Sequence, residues 1–337
     1  MSFSEFEIIR RHFIESGLGF PKTGVVMGIG DDAAVLDLPA DSVLTISMDV
    51  LVESVHFPTG ADPRLIANRA LSVNLSDLAA MAAEPFCFTL GLVLPRADST
   101  WLDGFSRGLL DVAEQFDCPL VGGDTTRCPA DGQINISIQV HGLSQRNRVV
   151  RRDGAKPGDR IYVSGCLGDG AIALLHLGLQ SHLGDSFELR ATDCRPYFEQ
   201  AYYQPQPRIE LARNCAGYVS SGIDISDGLY GDLGHIIEAS AVGAKLNSSQ
   251  FPYSDAAHSC VTEQNRLRAA LYGGDDYELC LTVPPQHAAT VEQQGKDLGI
   301  AMSCIGEIVD GDDIQIYQES GALLEIETSA YDHFRAD

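Results

Sequence analysis

Clusters of glycine and aspartate flank apolar runs along this chain. Val25-Val26-Met27 leads into Gly28-Ile29-Gly30-Asp31-Asp32, Leu120-Val121 into Gly122-Gly123-Asp124, and Gly273-Gly274-Asp275-Asp276 precedes the apolar stretch from Tyr277 to Val283. Asp77, in Val73-Asn74-Leu75-Ser76-Asp77, and Asp227, in Ile223-Asp224-Ile225-Ser226-Asp227, read as two more carboxylates at strand-to-helix junctions. Glycine at a strand end permits positive φ and lets the backbone approach a ligand closely. Carboxylates that crowd together need a cation to neutralise them. Any one of these motifs is ordinary turn or helix-cap chemistry. Their recurrence in both halves points to a site where several Mg²⁺ ions handle phosphate.

The remaining composition narrows the partners. A chain of 337 residues with formal charge -24 has room for two domains and lacks the basic surface needed to bind nucleic acid or an anionic membrane. Its lysines are confined to Lys22, Lys156, Lys245 and Lys296, so metal ions and arginine must supply most of the positive charge for a polyphosphate. Nine cysteines without a C-x-x-C pair make neither a disulfide framework nor a familiar zinc site, and they fit a reducing compartment. The N-terminal residues lack the pattern of a signal peptide, and no apolar run approaches the length of a membrane span. The expectation is a soluble cytoplasmic protein.

Periodicity supplies a coarse secondary structure. Residues 5–17 read as a helix, 42–48 as a strand running into Asp49, and Asp62-Pro63 as the start of a helix that Asn74 to Asp77 interrupts. Trp101, Phe105, Leu109, Val112 and Phe116 give one apolar helix face. Ile134, Ile136, Ile138 and Val140 alternate with polar residues, as in a strand with a single apolar face. Arg146, Arg148, Arg151 and Arg152 cluster near a change of composition, which sets the expected domain boundary between 145 and 146. Beyond it come a strand at 160–164, a helix at 169–179 and a stretch of weak periodicity from Gln180 to Cys194. A strand at 223–225, a helix ending near Ser240 with Gly243 as its stop, a strand at 277–283, a helix at 286–298 and strands at 302–308 and 314–317 complete the reading. Both halves mix strands and helices, which predicts two α+β domains.

Several phosphate-handling machines are excluded by motif. The chain has no G-x-x-x-x-G-K-[ST] loop, no protein-kinase motif set and no G-x-S-x-G elbow, and Gly165-Cys166-Leu167-Gly168-Asp169-Gly170 does not spell a dinucleotide fingerprint. Hard oxygen donors at Asp32, Asp49, Asp77, Asp124, Asp224 and Asp227 suit Mg²⁺ or Ca²⁺, and no EF-hand loop favours calcium.

Gly28 to Ala33, Ser47-Met48-Asp49, Val73 to Met81, Gly122 to Arg127, Ile223 to Leu229, Gly273 to Leu279 and, near the end, Tyr331-Asp332-His333-Phe334 together resemble the motif series of the thiamine-monophosphate kinase family. The resemblance implies the two-domain α/β (α+β) fold of the aminoimidazole-ribonucleotide synthetase superfamily. In that fold an N-terminal domain, here 1–145, pairs with its twin in a homodimeric β-barrel, and a C-terminal α/β domain follows, here 146–337. It also implies ATP-dependent phosphorylation of thiamine monophosphate to thiamine diphosphate. The implied metal ligands are Asp32, Ser47, Met48 through its backbone, Asp49, Asp77, Asp124, Asp224 and Asp227. ATP would be held by Gly123, Asp124, Arg152 and Ser226, and thiamine monophosphate by His56, Asp275 and Tyr331. Asp77, Asp124, Asp227 and Arg152 would serve catalysis. Met48 stands where the family commonly has threonine, and Asp275 where it often has glutamate, which shortens the reach by one methylene. Rival readings are another ATP-using member of the superfamily (a selenophosphate or purine-pathway synthetase), a two-metal phosphohydrolase and a non-enzymatic acidic cation binder.

Overall fold

The computed structural model describes residues 4–179, 183, 187 and 193–325. Two compact units divide the chain, one comprising Met1–Leu78 and Ala83–Asn147, the other Ala79–Ala82 and Arg148–Asp337.

In the first unit, α1 (Glu5–Ile8) continues into a π-helical turn, Ile9–Ile14, that buries His12 and Phe13. The short strands β1 (Val25–Met27) and β2 (Val35–Leu36) pair antiparallel on either side of the Gly28–Asp32 turn. Next come β3 (Ser42–Val52), α2 (Pro63–Ala80), β4 (Glu84–Leu94), α3 (Ser99–Gln115), β5 (Leu120–Arg127) and β6 (Asn135–Gln145). The four long strands form a sheet in the order β3-β6-β4-β5, antiparallel except between β4 and β5. Asp98 caps α3 by accepting the N–H groups of Thr100 and Trp101, a contact worth about 1 kcal/mol. The helix buries Leu102, Phe105, Leu109 and Val112. A Cβ on Gly108 would lie 2.2 Å from the Arg64 carbonyl oxygen, so at this point α3 meets α2 backbone to backbone.

The sheet has two unlike faces. Ile136, Ile138 and Val140 of β6 are fully buried, whereas on β3 Leu44, Ile46, Met48 and Val50 are 37%, 53%, 52% and 45% exposed. These four lie on one side of an edge strand. Among the described residues the sheet stays open, and no closed barrel forms within one chain.

The second unit is built from β7 (Arg160–Ser164), α4 (Asp169–Leu177), α5 (Arg195–Tyr203), α6 (Ile209–Cys215), β8 (Ser221–Asp224), α7 (Leu229–Ser240), β9 (Gly243–Asn247), α8 (Asp255–Cys260), α9 (Glu263–Tyr272), β10 (Leu279–Val283), α10 (Ala288–Asp297), β11 (Met302–Val309) and β12 (Ile314–Tyr317). Its six strands run in the order β12-β9-β11-β7-β10-β8, parallel only between β12 and β9. Ile161, Val163, Ile223, Cys280 and Ile305 of the sheet join Leu229, Leu233 and Ile236 of α7 in one core. Burying an aliphatic side chain of this size contributes about 1.5–3 kcal/mol.

Three local expectations fail. Asn74 to Asp77 does not interrupt α2: Asn74 donates its amide to the Ala70 carbonyl one turn back at 2.8 Å, so the polar run is satisfied inside a continuous helix. Asp77 is therefore a helical residue and does not mirror the junction at Asp227. Leu120-Val121 enters no turn, because β5 runs straight through Gly122, Gly123 and Asp124 to Arg127. Gly243 does not stop α7; Ala241, left-handed at φ 52°, closes the helix, and Gly243 opens β9. Strand β9 and helices α5, α8 and α9 were not foreseen. Tyr331 and most of Gln180 to Cys194 lie outside the described residues. Cys194 and Cys260 form a disulfide that the cysteine spacing did not suggest.

Candidate active site

In the first unit, strand alternation decides which residues of Ser47-Met48-Asp49 face α2. The Ser47 hydroxyl donates to Asp77 Oδ2 at 2.5 Å, and the Asp49 N–H donates to Asn74 Oδ1 at 2.9 Å. Met48 points the other way, into the exposed apolar row. Any contact from Met48 to a ligand on the α2 side must therefore use its backbone, as the threonine-to-methionine departure requires.

The two aspartates of the first turn also differ. Asp31 Oδ1 accepts the N–H of Asp32 at 2.9 Å and so shapes the turn, which leaves Asp32 to present its carboxylate. Gly123 and Asp124 are exposed on β5. A Cβ on Gly123 would lie 2.1 Å from the Leu90 carbonyl oxygen, so only glycine fits here. His56 Nδ1 accepts the Val52 N–H at 3.0 Å. This geometry assigns the ring proton to Nε2.

In the second unit, β8 ends at Asp224, and the turn through Ile225, Ser226, Asp227 and Gly228 leads into α7. Asp232 Oδ2 accepts the N–H groups of both Ser226 and Asp227 at 3.0 Å. The loop Gly273–Tyr277 lies directly against this turn. The Asp275 N–H donates to the Ser226 carbonyl and the Tyr277 N–H to the Ile225 carbonyl, each at 2.8 Å. Gly274, Asp275 and Tyr277 have φ of 70°, 63° and 51°. Left-handed backbone at non-glycine residues is costly, and it persists where the surroundings over-determine it. Asp276 provides one such restraint, its half-buried carboxylate accepting the N–H of Gly168 at 2.7 Å and of Gly170 at 3.2 Å.

Beside this loop lies a cavity of about 440 Å³ lined by Cys166, Asp169, Tyr197, Arg208, Asp275 and Glu278 among others. Arg208 clamps Glu278 bidentately at 2.8 and 2.5 Å. Burial pulls the Arg208 guanidinium towards lower pKa, but its hydrogen bond to Glu278 and the Glu278 charge leave it raised overall. Burial pushes the Cys166 thiol up to about 11, and Asp169, Glu278 and Asp276 add to the effect, so it is a poor nucleophile near neutral pH. Arg151 is committed to Asp153 at 2.9 and 2.5 Å. Arg152 is exposed and, among the described residues, forms no ion pair.

Whether these residues suit Mg²⁺ can be judged unit by unit. Among the described residues no three His, Cys, Asp or Glu side chains converge to enclose a metal. Mg²⁺ asks for less, since one or two carboxylates with water and substrate phosphate suffice. The Asp232 carboxyl is held well above its ordinary range by burial first, then by the charges of Asp224 and Asp227. The mutual repulsion of these carboxylates fits a divalent cation at Asp224 and Asp227, and the hydroxyl and carboxylate of Ser47 and Asp77 offer hard oxygens in the other unit.

Asp232 escaped the sequence reading, and Asn74 and Asp276 were read as members of their motifs with no role assigned. Asp232 carried one legible sign, an acidic residue in the first helical turn after Ser-Asp-Gly, but that position ordinarily signifies only a favourable helix start.

The class is defined by two matches: residues 30–144 match the family of the AIR synthase related protein N-terminal domain, and residues 156–319 that of its C-terminal domain. The chain is 39% identical over 334 residues to a thiamine-monophosphate kinase of Escherichia coli strain K12, covering 99% of each. The crystal structure of a thiamine-monophosphate kinase from Stenotrophomonas maltophilia K279a superposes with a TM-score of 0.81 at 36% identity, covering 94% of this chain and 97% of the other. AaThiL complexed with AMPPCP and TMP superposes with a TM-score of 0.74 at 29% identity, covering 91% and 92%. The chain belongs to the thiamine-monophosphate kinase family.

Proposed function

We propose that the protein transfers the γ-phosphoryl group of ATP to thiamine monophosphate, yielding ADP and thiamine diphosphate. The observation that carries this reading is the full-length relation to thiamine-monophosphate kinases, 39% identity over 99% of both chains. A relative of the same fold that binds AMPPCP and TMP supports the pair of substrates.

The acceptor is a phosphate monoester whose second pKa is about 6, so near neutral pH it is already largely ionised and needs no strong base. His56 is oriented for that role by the bond its Nδ1 accepts from the Val52 N–H. Transfer is direct and in line, with no phosphorylated side chain. Bound Mg²⁺ supplies charge neutralisation between the two phosphates; Asp32, Ser47, the Met48 carbonyl, Asp49, Asp77, Asp124, Asp224 and Asp227 would hold it. Gly123, Asp124, Ser226 and Arg152 hold the nucleotide, and Arg152 keeps its guanidinium available because Arg151 takes Asp153. Asp275, with His56 and Tyr331, holds thiamine monophosphate. Asp77, Asp124, Asp227 and Arg152 act on the reacting phosphates.

The 1–145 region serves metal binding, nucleotide binding and dimerisation, and the apolar row of β3 supports a homodimer in which two open sheets complete a barrel. The assignment to the cytoplasm rests on seven free cysteines, and the Cys194–Cys260 disulfide weighs against it. Among the described residues no helix is long and apolar enough to cross a membrane.

The deciding assay incubates the protein with ATP, Mg²⁺ and thiamine monophosphate and measures ADP, free phosphate and thiamine diphosphate. Equimolar ADP and thiamine diphosphate are expected. Phosphate released without thiamine diphosphate would identify a phosphohydrolase, and net retention at a chiral γ-phosphate would refute in-line transfer.

A further inference from the structure

We infer that Asp232 is a positioning residue for the turn that presents Ser226 and Asp227, and through that turn for Asp275; the inference rests on the roles proposed above for those three residues. Asp232 is 2% exposed and sits in the first turn of α7. An acidic side chain at a helix start ordinarily accepts the free N–H groups of its own helix. Asp232 instead reaches back to the N–H groups of Ser226 and Asp227, both ahead of the helix. Those N–H groups belong to two consecutive peptide planes whose opposite edges are also held. The plane joining Ile225 and Ser226 offers its carbonyl to the Tyr277 N–H, and the plane joining Ser226 and Asp227 offers its carbonyl to the Asp275 N–H.

A peptide unit is rigid, so fixing both its N–H and its C=O fixes its orientation. Two adjacent planes pinned in this way set the direction in which the Ser226 side chain leaves the backbone and fix the N–Cα bond from which Asp227 starts. They also hold the left-handed Asp275 against the same turn. Releasing one side frees both planes to rotate. Loss of the Asp232 oxygen should therefore disturb Asp227 and Asp275 together.

The test compares Asp232→Asn, whose amide oxygen can still accept both N–H groups, with Asp232→Ala and Asp232→Glu, which remove or displace the acceptor. Calorimetric titration with Mg²⁺ alone reads the metal side, and KM against kcat for thiamine monophosphate reads the acceptor side. Thermal unfolding monitors the fold. Asp232→Ala is expected to weaken Mg²⁺ binding about 10-fold and to raise KM for thiamine monophosphate by a similar factor, while Asp232→Asn stays within about threefold on both. Asp232→Glu, which keeps the charge but moves it by a methylene, should resemble Asp232→Ala. If Asp232→Ala does not fold, the order of the other two decides. Mg²⁺ binding kept by Asp232→Glu and lost by Asp232→Asn would overturn the inference in favour of a charge effect or direct ligation. A folded Asp232→Ala with unchanged Mg²⁺ binding and KM would overturn it as well. Failure of the wild-type protein to form thiamine diphosphate is a separate outcome, since it would remove the functional reading and leave the Mg²⁺ titration still informative.

Discussion

Asp31 and Asp32 are neighbours of the same type with different work. The Asp31 carboxylate is spent on the Asp32 N–H at 2.9 Å, so its contribution is the shape of the turn. An Asp31→Asn side chain can keep that bond through its amide oxygen, whereas Asp32→Asn removes charge from the carboxylate assigned to metal. We predict that Asp32→Asn lowers kcat at least tenfold at fixed Mg²⁺ and that Asp31→Asn lowers it less than threefold; steady-state kinetics over a Mg²⁺ series would check both. Asp77 belongs to the same scale. Its partner Ser47 holds it at 2.5 Å within α2, and Asp77→Asn should cost about 100-fold or more in kcat if it sits on the reacting phosphates. Near-normal turnover of that variant at saturating Mg²⁺ would take Asp77 out of the metal shell.

Elements place these residues by simple periodicities. Strand β3 sends Ser47 and Asp49 to the α2 side and Leu44, Ile46, Met48 and Val50 to the other, since successive side chains of a strand alternate. In the second unit the contact between α4 and α5 includes His176 stacked on Phe198, with ring centroids 5.8 Å apart. Burial, followed by the charge of Arg195, depresses the His176 pKa below 6.5. A histidine depressed in the folded state takes up its proton more readily once unfolded, so its stabilising contribution is present above the unfolded pKa and lost as pH falls. Asp169, Asp232 and Asp276 are shifted upward by burial and act in the opposite sense, favouring the fold at lower pH. The histidine effect is therefore isolated by difference. Between about pH 7.5 and about pH 5.5, the urea midpoint of His176→Gln is expected to fall less, or rise more, than that of the wild type.

At the scale of the whole molecule, the exposed row on β3 bears on assembly. An 11-residue edge strand with four apolar side chains on its uncovered face invites pairing with another sheet unless something covers it. Ile46→Glu places a charge in the middle of that row. Sedimentation velocity should find the wild type dimeric and this variant monomeric, with reduced activity; a variant that stays dimeric would show that assembly uses another surface. The net charge of -24 leaves the acidic molecule dependent on arginine and metal to hold a polyphosphate, which is consistent with the committed Arg151–Asp153 pair beside an uncommitted Arg152.

The sequence alone determined the α+β character of both halves, the alternation of β6, the amphipathic face of α3 and the family, because apolar periodicity and ordered motifs are local and survive without coordinates. It could not tell that Asn74 to Asp77 continues a helix, since its polar side chains look like a break until Asn74 is seen bonded to the Ala70 carbonyl. Nor could it find Asp232 or tell what Asp276 does, since the roles of both arise from N–H groups brought to them by a turn and a loop. Only the tertiary structure decided which aspartates present their carboxylates and which spend them on backbone. A carboxylate has the same spelling in either role, and its role depends on which donors the fold brings within about 3 Å.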